Sequence, residues 1–163
     1  MPEVFLGLGS NVGERKENII AALELLKEKI ADVKVAQIYE SRAVGHEHQP
    51  NFLNTAAKGT TALKPKELLD FVKAVENEVG RVERFRWGPR EIDIDILFYD
   101  DLTYKNEWLE IPHSYLRERD FVLKPLTDLA PDFTHPVFKK TIKQLLAELP
   151  EENLSIIKQE SLS

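Results

Sequence analysis

Residues 86–96 read Arg-Trp-Gly-Pro-Arg-Glu-Ile-Asp-Ile-Asp-Ile. From Ile92 to Phe98 every second residue is apolar, which is the period of a half-buried β-strand. Asp93 and Asp95 must then share the opposite face of this strand, with their Cα atoms about 6.5–7 Å apart. The stretch therefore predicts a strand of the sheet that presents two neighbouring carboxylates.

Two carboxylates held side by side repel each other unless a cation lies between them. Mg²⁺ suits so small a pair, because it takes one or two carboxylates and fills its other positions with water and phosphate oxygens. Arg86 and Arg90 flank a Gly-Pro turn, from which their guanidinium groups could donate to phosphate. The pattern indicates a metal-bound phosphate site, but a solvated sheet face explains the same residues equally well.

The composition is typical of one soluble globular domain, with 163 residues, 42% hydrophobic and 31% charged. We therefore predict a single domain over residues 1–163. No apolar run approaches the ~20 residues that span a bilayer, and no secretory signal is visible. Cysteine is absent, which excludes disulfides and thiol catalysis, and we predict a cytoplasmic location.

The net charge of −6 argues against broad binding to nucleic acid or to membrane surfaces. It leaves room for a local basic site that binds a small anion. We therefore expect small-molecule ligands, with neither nucleic acid nor membrane as a partner. The sequence does not determine the oligomeric state, for which a monomer is our working expectation.

Apolar periodicity predicts the order β-α-β-β-α-β followed by a tail. The predicted strands are residues 4–8, 33–39, 52–61 and 92–98, and the predicted helices are residues 14–30 and 65–79. In the tail, Pro125 breaks a stretch from 121 to 129, and a short helix follows near 141–149. This order is typical of a ferredoxin-like α+β fold, an antiparallel sheet with helices packed on one face and a C-terminal extension that could add helix on the other.

Further motifs accompany residues 86–96 along the chain. They are Gly9-Ser10-Asn11 after the first strand, Gln49-Pro50-Asn51-Phe52-Leu53-Asn54 entering the third, Glu76 with Gly80-Arg81-Val82 at the end of the second helix, and Pro112-His113 with Arg119 and Phe121. Over roughly residues 3–136, their order resembles the 6-hydroxymethyl-7,8-dihydropterin pyrophosphokinase family. Members of this family move a pyrophosphoryl group from ATP to a pterin alcohol in folate biosynthesis and release AMP.

The resemblance implies an ATP-dependent enzyme in which Asp93 and Asp95 hold two Mg²⁺ ions against the ATP phosphates. Arg81 and Arg90 would clamp phosphate oxygens and stabilise charge in the transition state, as catalytic residues. Without the resemblance, Arg81 is better explained as a cation favoured by the dipole at the end of a helix.

The resemblance also implies two sets of substrate contacts. The pterin contacts would be Ser41, Arg42, Val44, Phe52, Asn54, Asp93 and Phe121. The ATP contacts would be Leu69, Lys73, Glu76, Arg86, Trp87, Ile96, His113 and Arg119.

Plainer explanations compete for several of these residues. On sequence alone, core packing explains Phe52 and Phe121 better than stacking on a pterin does, whereas Asn54 in an apolar strand needs a polar partner. Lys73 and Glu76 also fit an i,i+3 pair on a solvated helix face. His113 could be an ordinary loop residue.

Three other motifs are discounted. In residues 7–13 the third glycine comes one position too late for a dinucleotide fingerprint, and no P-loop sequence occurs. His46-Glu47-His48 lacks a cysteine and a clear third ligand for zinc, and in the resembling family this region is a mobile loop near the pterin.

Arg42, Glu83 and Ser114 differ from the residues common at the matching family positions.

Two rival functions remain open at this point. One is a two-metal phosphodiesterase or another nucleotidyl enzyme that uses the same diacid strand. The other is a non-catalytic RNA-binding module on a ferredoxin-like sheet, which the acidic charge and two aspartates on a central strand oppose.

Overall fold

The computed structural model describes residues 1–43, 49–80 and 91–160. The strands are β1 (Glu3–Ser10), β2 (Ala31–Val35), β3 (Ile38–Ser41), β4 (Phe52–Thr60), β5 (Asp93–Tyr99), β6 (Tyr104–Lys105), β7 (Glu110–Ile111) and β8 (Ile156–Glu160). The α-helices are α1 (Arg15–Leu26), α2 (Pro65–Val79), α3 (Asp120–Leu129) and α4 (Ile142–Ala147), with 3₁₀ turns at Leu116–Glu118 and Glu151–Asn153. Among these residues, no helix is both long enough and apolar enough to cross a membrane.

Six strands form one antiparallel sheet in the order β5-β1-β4-β3-β8, and β2 pairs with β4 beside β3. Strands β6 and β7 form a separate hairpin. Strand β1 lies between β4 and β5, so the two βαβ halves are interleaved as in a split βαβ arrangement. The predicted α+β fold with a ferredoxin-like antiparallel sheet is confirmed.

Helices cover both faces of the sheet. On one face, α1 and α2 bury an apolar stripe that includes Leu23, Leu26, Leu68 and Val72. On the other face, α3 and α4 bury a second core, which includes Phe5 and Phe98 of the sheet with Leu123, Leu126 and Leu145 of the helices. The C-terminal extension therefore supplies the second helical layer.

A β-bulge interrupts the alternation predicted for the diacid strand. Leu6 pairs with Ile96 but Phe5 pairs with Phe98, so Leu97 is an extra residue on β5. As a result Ile96 packs under α1 and α2, whereas Phe98 packs in the core under α3. The prediction that Phe98 shares a face with the preceding isoleucines is wrong, because a bulge shifts the side-chain alternation by one residue.

The other differences lie where long-range contacts override local patterns. The predicted strand 33–39 is two strands, and the break is held by Thr55, whose Oγ1 lies 3.2 Å from Ala36 O and 3.0 Å from Gln37 O. Helix α3 continues through Pro125, which is buried and costs the helix one backbone hydrogen bond. Strand β8 was not predicted, because it is mostly exposed and shows no apolar alternation.

His135 is a buried histidine beside the second core, with 3% of its surface exposed. Its Nδ1 accepts hydrogen bonds from the backbone N–H groups of Val137 (3.1 Å) and Phe138 (3.2 Å). Burial, and then the nearby charge of Arg117, lowers the pKa of His135 to about 4. The imidazole is therefore neutral at pH 7 and acts as a hydrogen-bond acceptor.

This histidine should make stability depend on pH. Its pKa in the folded chain lies below the ordinary value of 6.5, so the unfolded chain takes up the proton first as the pH falls. The stabilising contribution is complete above pH 6.5 and is lost toward pH 4, by about 3 kcal/mol in total. We expect the unfolding free energy of His135→Asn, which keeps an acceptor but does not titrate, to fall less between pH 7 and 5. Urea denaturation at several pH values measures this difference, and equal slopes for both proteins would contradict it.

Candidate active site

A cleft of about 310 Å³ opens on the face of the sheet that α3 covers, next to the first turn of that helix. Its floor comes from β1, β4 and β5, and its walls come from the end of β3, the start of β4 and the start of α3. The lining residues are Gly7, Leu8, Gly9, Ser41, Arg42, Ala43, Gln49, Phe52, Asn54, Thr55, Asp93, Asp95, Arg119, Phe121 and Val122. The cleft thus gathers most of the predicted pterin contacts and both predicted metal ligands.

Two glycines of β1 leave the floor of the cleft open. Gly9 pairs with Asn54 on one side and with Asp93 on the other, and Gly7 pairs with Asp95. A Cβ atom on Gly9 would lie 3.1 Å from Asn54 Oδ1, closer than most Cβ contacts. No role in the site was predicted for these two glycines, although glycines inside a strand are a signal of close approach by another group.

Asn54 is buried and its amide is held in one orientation. Its Nδ2 donates to Ser41 Oγ at 2.8 Å and lies 3.4 Å from the carbonyl oxygen of Tyr39. Its Oδ1 lies on the side of Gly9, as the Cβ distance above shows. The expectation that Asn54 needs a polar partner is confirmed, and its carbonyl oxygen is placed to accept a hydrogen bond from a ligand in the cleft.

Phe52 and Phe121 stand in the walls of the cleft. Phe52 opens β4 and Phe121 lies in the first turn of α3, and both are partly exposed. Neither ring belongs to either hydrophobic core. The structure therefore does not support the core packing that the sequence alone favoured, and both rings are available to stack on a flat ligand.

Asp93 and Asp95 lie on β5, which is an edge strand and not the central strand that we predicted. Burial, and then the charge of Asp93, raises the pKa of Asp95, while His113, Arg119 and Lys73 act in the opposite direction. His113 Nε2 lies 3.8 Å from Asp95 Oδ1. The pair is thus a site where added positive charge would be favourable.

The chemistry of the pair suits Mg²⁺ that shares its coordination with phosphate. In the part of the chain that the structure describes, no group of three or more His, Cys, Asp or Glu side chains could hold a metal ion. Two carboxylates with an open cleft beside them leave positions for phosphate oxygens and water, as Mg²⁺ requires. A closed structural metal site of several side chains is not what these residues form.

Glu76 holds the outer edge of β5. Only 8% of its surface is exposed, its Oε2 accepts from the backbone N–H of Ile94 at 2.8 Å, and Lys73 Nζ lies 3.5 Å from its Oε1. Burial is the main cause that raises the pKa of Glu76, against the opposing effects of Ile94 and Lys73. A solvated helix face therefore describes the exposed Lys73 but is wrong for Glu76.

Ile96 contributes its side chain to the first core, where it is 3% exposed, so a nucleotide could reach only its backbone. The N–H of Ile94 points away from β1 toward Glu76, and the backbone of Ile96, two residues on, faces the same edge. At the next residue, the carbonyl oxygen of Leu97 accepts from His113 N at 3.2 Å. The backbone of Ile96 therefore lies between α2 and the segment that carries His113.

Three further predicted contacts, Arg119, Leu69 and Arg42, lie in different parts of the structure. The guanidinium carbon of Arg119 lies 4.9 Å from the ring centroid of Tyr115 and 5.6 Å from that of Phe121, at the rim of the cleft. Leu69 is partly buried and packs on the first core. The backbone N–H of Arg42 donates to Ser155 O at 3.0 Å, at the edge of the cleft that Arg42 lines.

Several predictions fall outside the described residues. These are Val44, Arg81, Glu83, Arg86, Trp87, Arg90 and the triplet 46–48. Both predicted catalytic arginines are among them. The described site therefore comprises the acidic pair, the pterin-side cleft and part of the predicted ATP surface.

Removing the acceptor at Glu76 should destabilise the edge of β5. Glu76→Ala leaves the backbone N–H of Ile94 without this bond and should lower the free energy of unfolding by about 1–3 kcal/mol. Glu76→Gln keeps an acceptor and removes a buried charge, so we expect its stability to stay within about 1 kcal/mol of the parent chain. Chemical denaturation measures both variants, and equal losses in the two would show that the hydrogen bond is not what matters.

Comparison with known proteins supports a family assignment. A family model for 7,8-dihydro-6-hydroxymethylpterin-pyrophosphokinase (HPPK) matches residues 5–131. The chain is 49% identical over 148 residues to the 2-amino-4-hydroxy-6-hydroxymethyldihydropteridine pyrophosphokinase of Aquifex aeolicus, covering 91% of this chain and 92% of that one. It is 41% identical to the protein of the same name from Pseudomonas aeruginosa, covering 93% and 94% of the two chains.

Some relatives are much longer. The folic acid synthesis protein FOL1 of Dictyostelium discoideum is 45% identical over 147 residues, which are 90% of this chain and 22% of that protein. A solved structure of Plasmodium falciparum HPPK-DHPS superimposes with a TM-score of 0.75 at 19% identity, over 90% of this chain and 45% of that one. This likeness supports the fold.

The structure is an α+β fold with an acidic pair, Asp93 and Asp95, in a cleft that Phe52 and Phe121 also line. The chain's place among the transferases of folate biosynthesis follows from the sequence relatives. The chain belongs to the 7,8-dihydro-6-hydroxymethylpterin-pyrophosphokinase family. The resemblance noted in the sequence is thereby confirmed.

Proposed function

We propose that the cleft and the acidic pair carry out the family's reaction in this chain. The reaction transfers the pyrophosphoryl group of ATP to the hydroxymethyl oxygen of 6-hydroxymethyl-7,8-dihydropterin and gives AMP and the pterin diphosphate. The observation that carries the proposal is that Asp93 and Asp95 line the same cleft as Phe52, Asn54 and Phe121. An acceptor alcohol bound in the cleft would thus lie next to the group that handles phosphate.

The pterin-binding side of the site would use stacking and edge recognition together. The flat bicycle would lie between Phe52 and Phe121, and Asn54 Oδ1 would accept from an N–H on its edge. Ser41 supports this role because its hydroxyl accepts from the amide of Asn54 and so keeps the carbonyl oxygen turned to the cleft. The carbonyl groups of Arg42 and Val44 would complete the edge contacts, and Asp93 would approach the hydroxymethyl end.

The transfer step forms one bond and breaks one. The hydroxymethyl oxygen attacks the β-phosphorus in line, the bond from that phosphorus to the α–β bridging oxygen breaks, and AMP departs with that oxygen. The proton of the hydroxyl group is lost to the surroundings as the new bond forms. Because the reacting groups need little covalent help, the contribution of the protein is to orient both substrates and to stabilise the charge on the phosphates.

The acidic pair would hold two Mg²⁺ ions. When bound there, Mg²⁺ neutralises charge on the triphosphate and makes its phosphorus atoms more electrophilic. Asp95 and Asp93 would supply the protein ligands. Burial, and then the charge of Asp93, raises the pKa of Asp95, which supports a cation at this position. Arg119 adds positive charge on the same side of the cleft, and His113 Nε2 lies 3.8 Å from Asp95 Oδ1.

ATP would lie along the outer edge of β5. The proposed nucleotide contacts are Leu69, Lys73, Glu76, Arg86, Trp87, Ile96, His113 and Arg119. Arg81 and Arg90 are the proposed catalytic residues that would bind the phosphates. The backbone of Ile96 supports an adenine site because it faces this edge between α2 and His113. Lys73, exposed on α2, would reach the nucleotide from the same side.

We further propose that residues 1–163 act as one domain, as a monomer, in the cytoplasm, with no nucleic acid or membrane as partner. Both hydrophobic cores pack on opposite faces of one sheet, which supports a single domain. The net charge of −6 argues against association with polyanions.

The central test follows the two products together. Purified protein with ATP, Mg²⁺ and the pterin alcohol should release AMP and pterin diphosphate in equal amounts, and only when the pterin is present. Asp95→Ala should reduce this turnover by at least about a hundredfold, because it removes one of the two carboxylates that would bind the metal ions. Asp101→Ala, at an exposed aspartate in the turn after β5, is the matched control and should keep normal turnover.

Two results would contradict the proposal. Release of AMP that does not depend on the pterin would favour a hydrolase on the same diacid strand. Near-normal turnover by folded Asp95→Ala, confirmed by circular dichroism, would rule out the metal role of this residue.

A methyl group on the floor of the cleft should weaken pterin binding selectively. In Gly9→Ala the new Cβ would lie 3.1 Å from Asn54 Oδ1, so this proposed pterin contact must shift, whereas its distance of 3.6 Å from Phe52 Cδ1 is ordinary contact. We expect the KM for the pterin to rise about tenfold and the KM for ATP to change little. Steady-state kinetics with each substrate varied measure the two constants.

Gly7→Ala is the comparison for this variant. Its Cβ would meet the side chain of Leu97 at 3.4 Å or more, which is ordinary contact with a flexible group. We therefore expect a smaller effect on the pterin KM than in Gly9→Ala. The reverse order of the two effects would argue against a pterin seated over Gly9.

A further inference from the structure

Asp120 is a buried carboxylate that has no role in the proposed reaction. It is the first residue of α3 and only 3% of its surface is exposed. Its Oδ2 accepts from the backbone N–H groups of Ser155 at 2.8 Å and Ile156 at 3.0 Å, and its Oδ1 accepts from Ser155 Oγ at 2.6 Å. Three donors from one short segment thus converge on a single side chain, which is a strong attachment for a buried charge.

The sequence neighbours of Asp120 form one wall of the cleft. Arg119 and Phe121, the residues before and after Asp120 in the chain, both line the cleft. Arg119 is the N-cap residue of α3, but its side chain makes no capping hydrogen bond and stacks near Phe121 instead. The start of α3 is therefore anchored through Asp120 and not through a capping side chain.

The same segment of the tail also holds the opposite wall. The carbonyl oxygen of Ser155 accepts from the backbone N–H of Arg42, and that of Leu154 accepts from Arg42 Nη2, both at 3.0 Å. Arg42 follows Ser41, whose hydroxyl orients Asn54. Residues 154–156, here called the tail segment, are thus attached to both walls of the cleft.

Strand pairing adds a third attachment. Ile156 begins β8 and pairs with Ser41 at the end of β3. The tail segment therefore cannot move relative to Ser41 without breaking β-ladder hydrogen bonds as well. Through Asp120, this rigid edge of the sheet determines where the first turn of α3 lies.

We propose that Asp120 and the tail segment set the width of the pterin cleft, with Asp120 as a positioning residue for Phe121 and Arg119. This inference rests on the proposed function, because it assumes that the pterin binds between Phe52 and Phe121. Its consequence is that the C-terminal residues, which lie outside the family motifs, take part in substrate binding through the distance between the two walls.

The chain offers a matched control on the same helix. Asp128, in the last turn of α3, accepts from Tyr39 Oη at 2.7 Å and from the backbone N–H of Gln37 at 3.2 Å. It anchors the far end of α3 to β3 and does not line the cleft. Asp120→Ala and Asp128→Ala thus remove one carboxylate anchor from each end of the same helix, a buried one at Asp120 and an exposed one at Asp128.

The experiment measures pterin affinity and thermal stability for both variants. Pterin binding is titrated by fluorescence in the presence of Mg²⁺ and a non-hydrolysable ATP analogue, and the KM values for pterin and ATP are determined separately. Asp120→Ala should raise the pterin Kd by about tenfold or more. Asp128→Ala removes two hydrogen bonds at an exposed carboxylate, so it should lower the Tm by less and leave the pterin Kd within about twofold.

A conservative variant separates position from charge. In Asp120→Asn, the side-chain oxygen can accept from the two backbone N–H groups and the amide can donate to Ser155 Oγ, so we expect most of the pterin affinity to return. An unchanged pterin Kd in Asp120→Ala, or an equal loss in Asp128→Ala, would overturn the proposal.

If Asp120→Ala does not fold, Ser155→Ala decides the question. It removes only the 2.6 Å bond to Oδ1 and should raise the pterin Kd about threefold, whereas an unchanged Kd would overturn the proposal. The parent chain distinguishes this inference from the proposed function. If the parent chain releases no pterin-dependent AMP, the function itself fails before any variant is compared.

Discussion

The pairing register of β1 with its two neighbours is the constraint on which the rest of the site depends. It places Gly9 between Asn54 and Asp93, and it places Gly7 opposite Asp95. The acidic pair and the carbonyl of Asn54 therefore face the same cleft with no side chain between them. A slip of one residue would turn both aspartates toward the core under α1 and α2, where their charges would be buried without partners.

Two buried carboxylates, Glu76 and Asp120, fix the positions of the edge of β5 and of the start of α3, which the register of β1 does not determine. Glu76 accepts from the backbone of Ile94 and secures the free edge of β5, while Asp120 accepts from the tail segment and secures the start of α3. In both cases a carboxylate replaces a missing backbone or capping partner. Since a buried charge without its donors is costly, each attachment is specific for one arrangement of the chain. The edge of β5 and the start of α3, which border the proposed nucleotide and pterin sites, are thus positioned by similar physical means.

The sequence predicted the fold class and the main elements well, because apolar periodicity is a local property that survives folding. It failed where contacts distant in the chain decide the outcome. The bulge at Leu97, the break between β2 and β3 beside Thr55, and the exposed strand β8 have no clear local pattern. For the site, the family motifs pointed to the acidic pair and the residues of the cleft. The helical pattern alone placed Glu76 on a solvated face, because its partner, the backbone N–H of Ile94, lies on β5.

That Asp93 and Asp95 share one face of a strand could be read from the sequence alone, because side chains alternate along a strand whatever surrounds it. The sequence also determined the family, since the motifs and their order are properties of the chain. The groups that stand opposite that face, and the link that the tail segment makes between Arg42 and Asp120, became visible in the folded chain. These relations depend on strand register and on which polar groups are removed from water. Both are settled by contacts between residues far apart in the chain, so no local pattern can carry them.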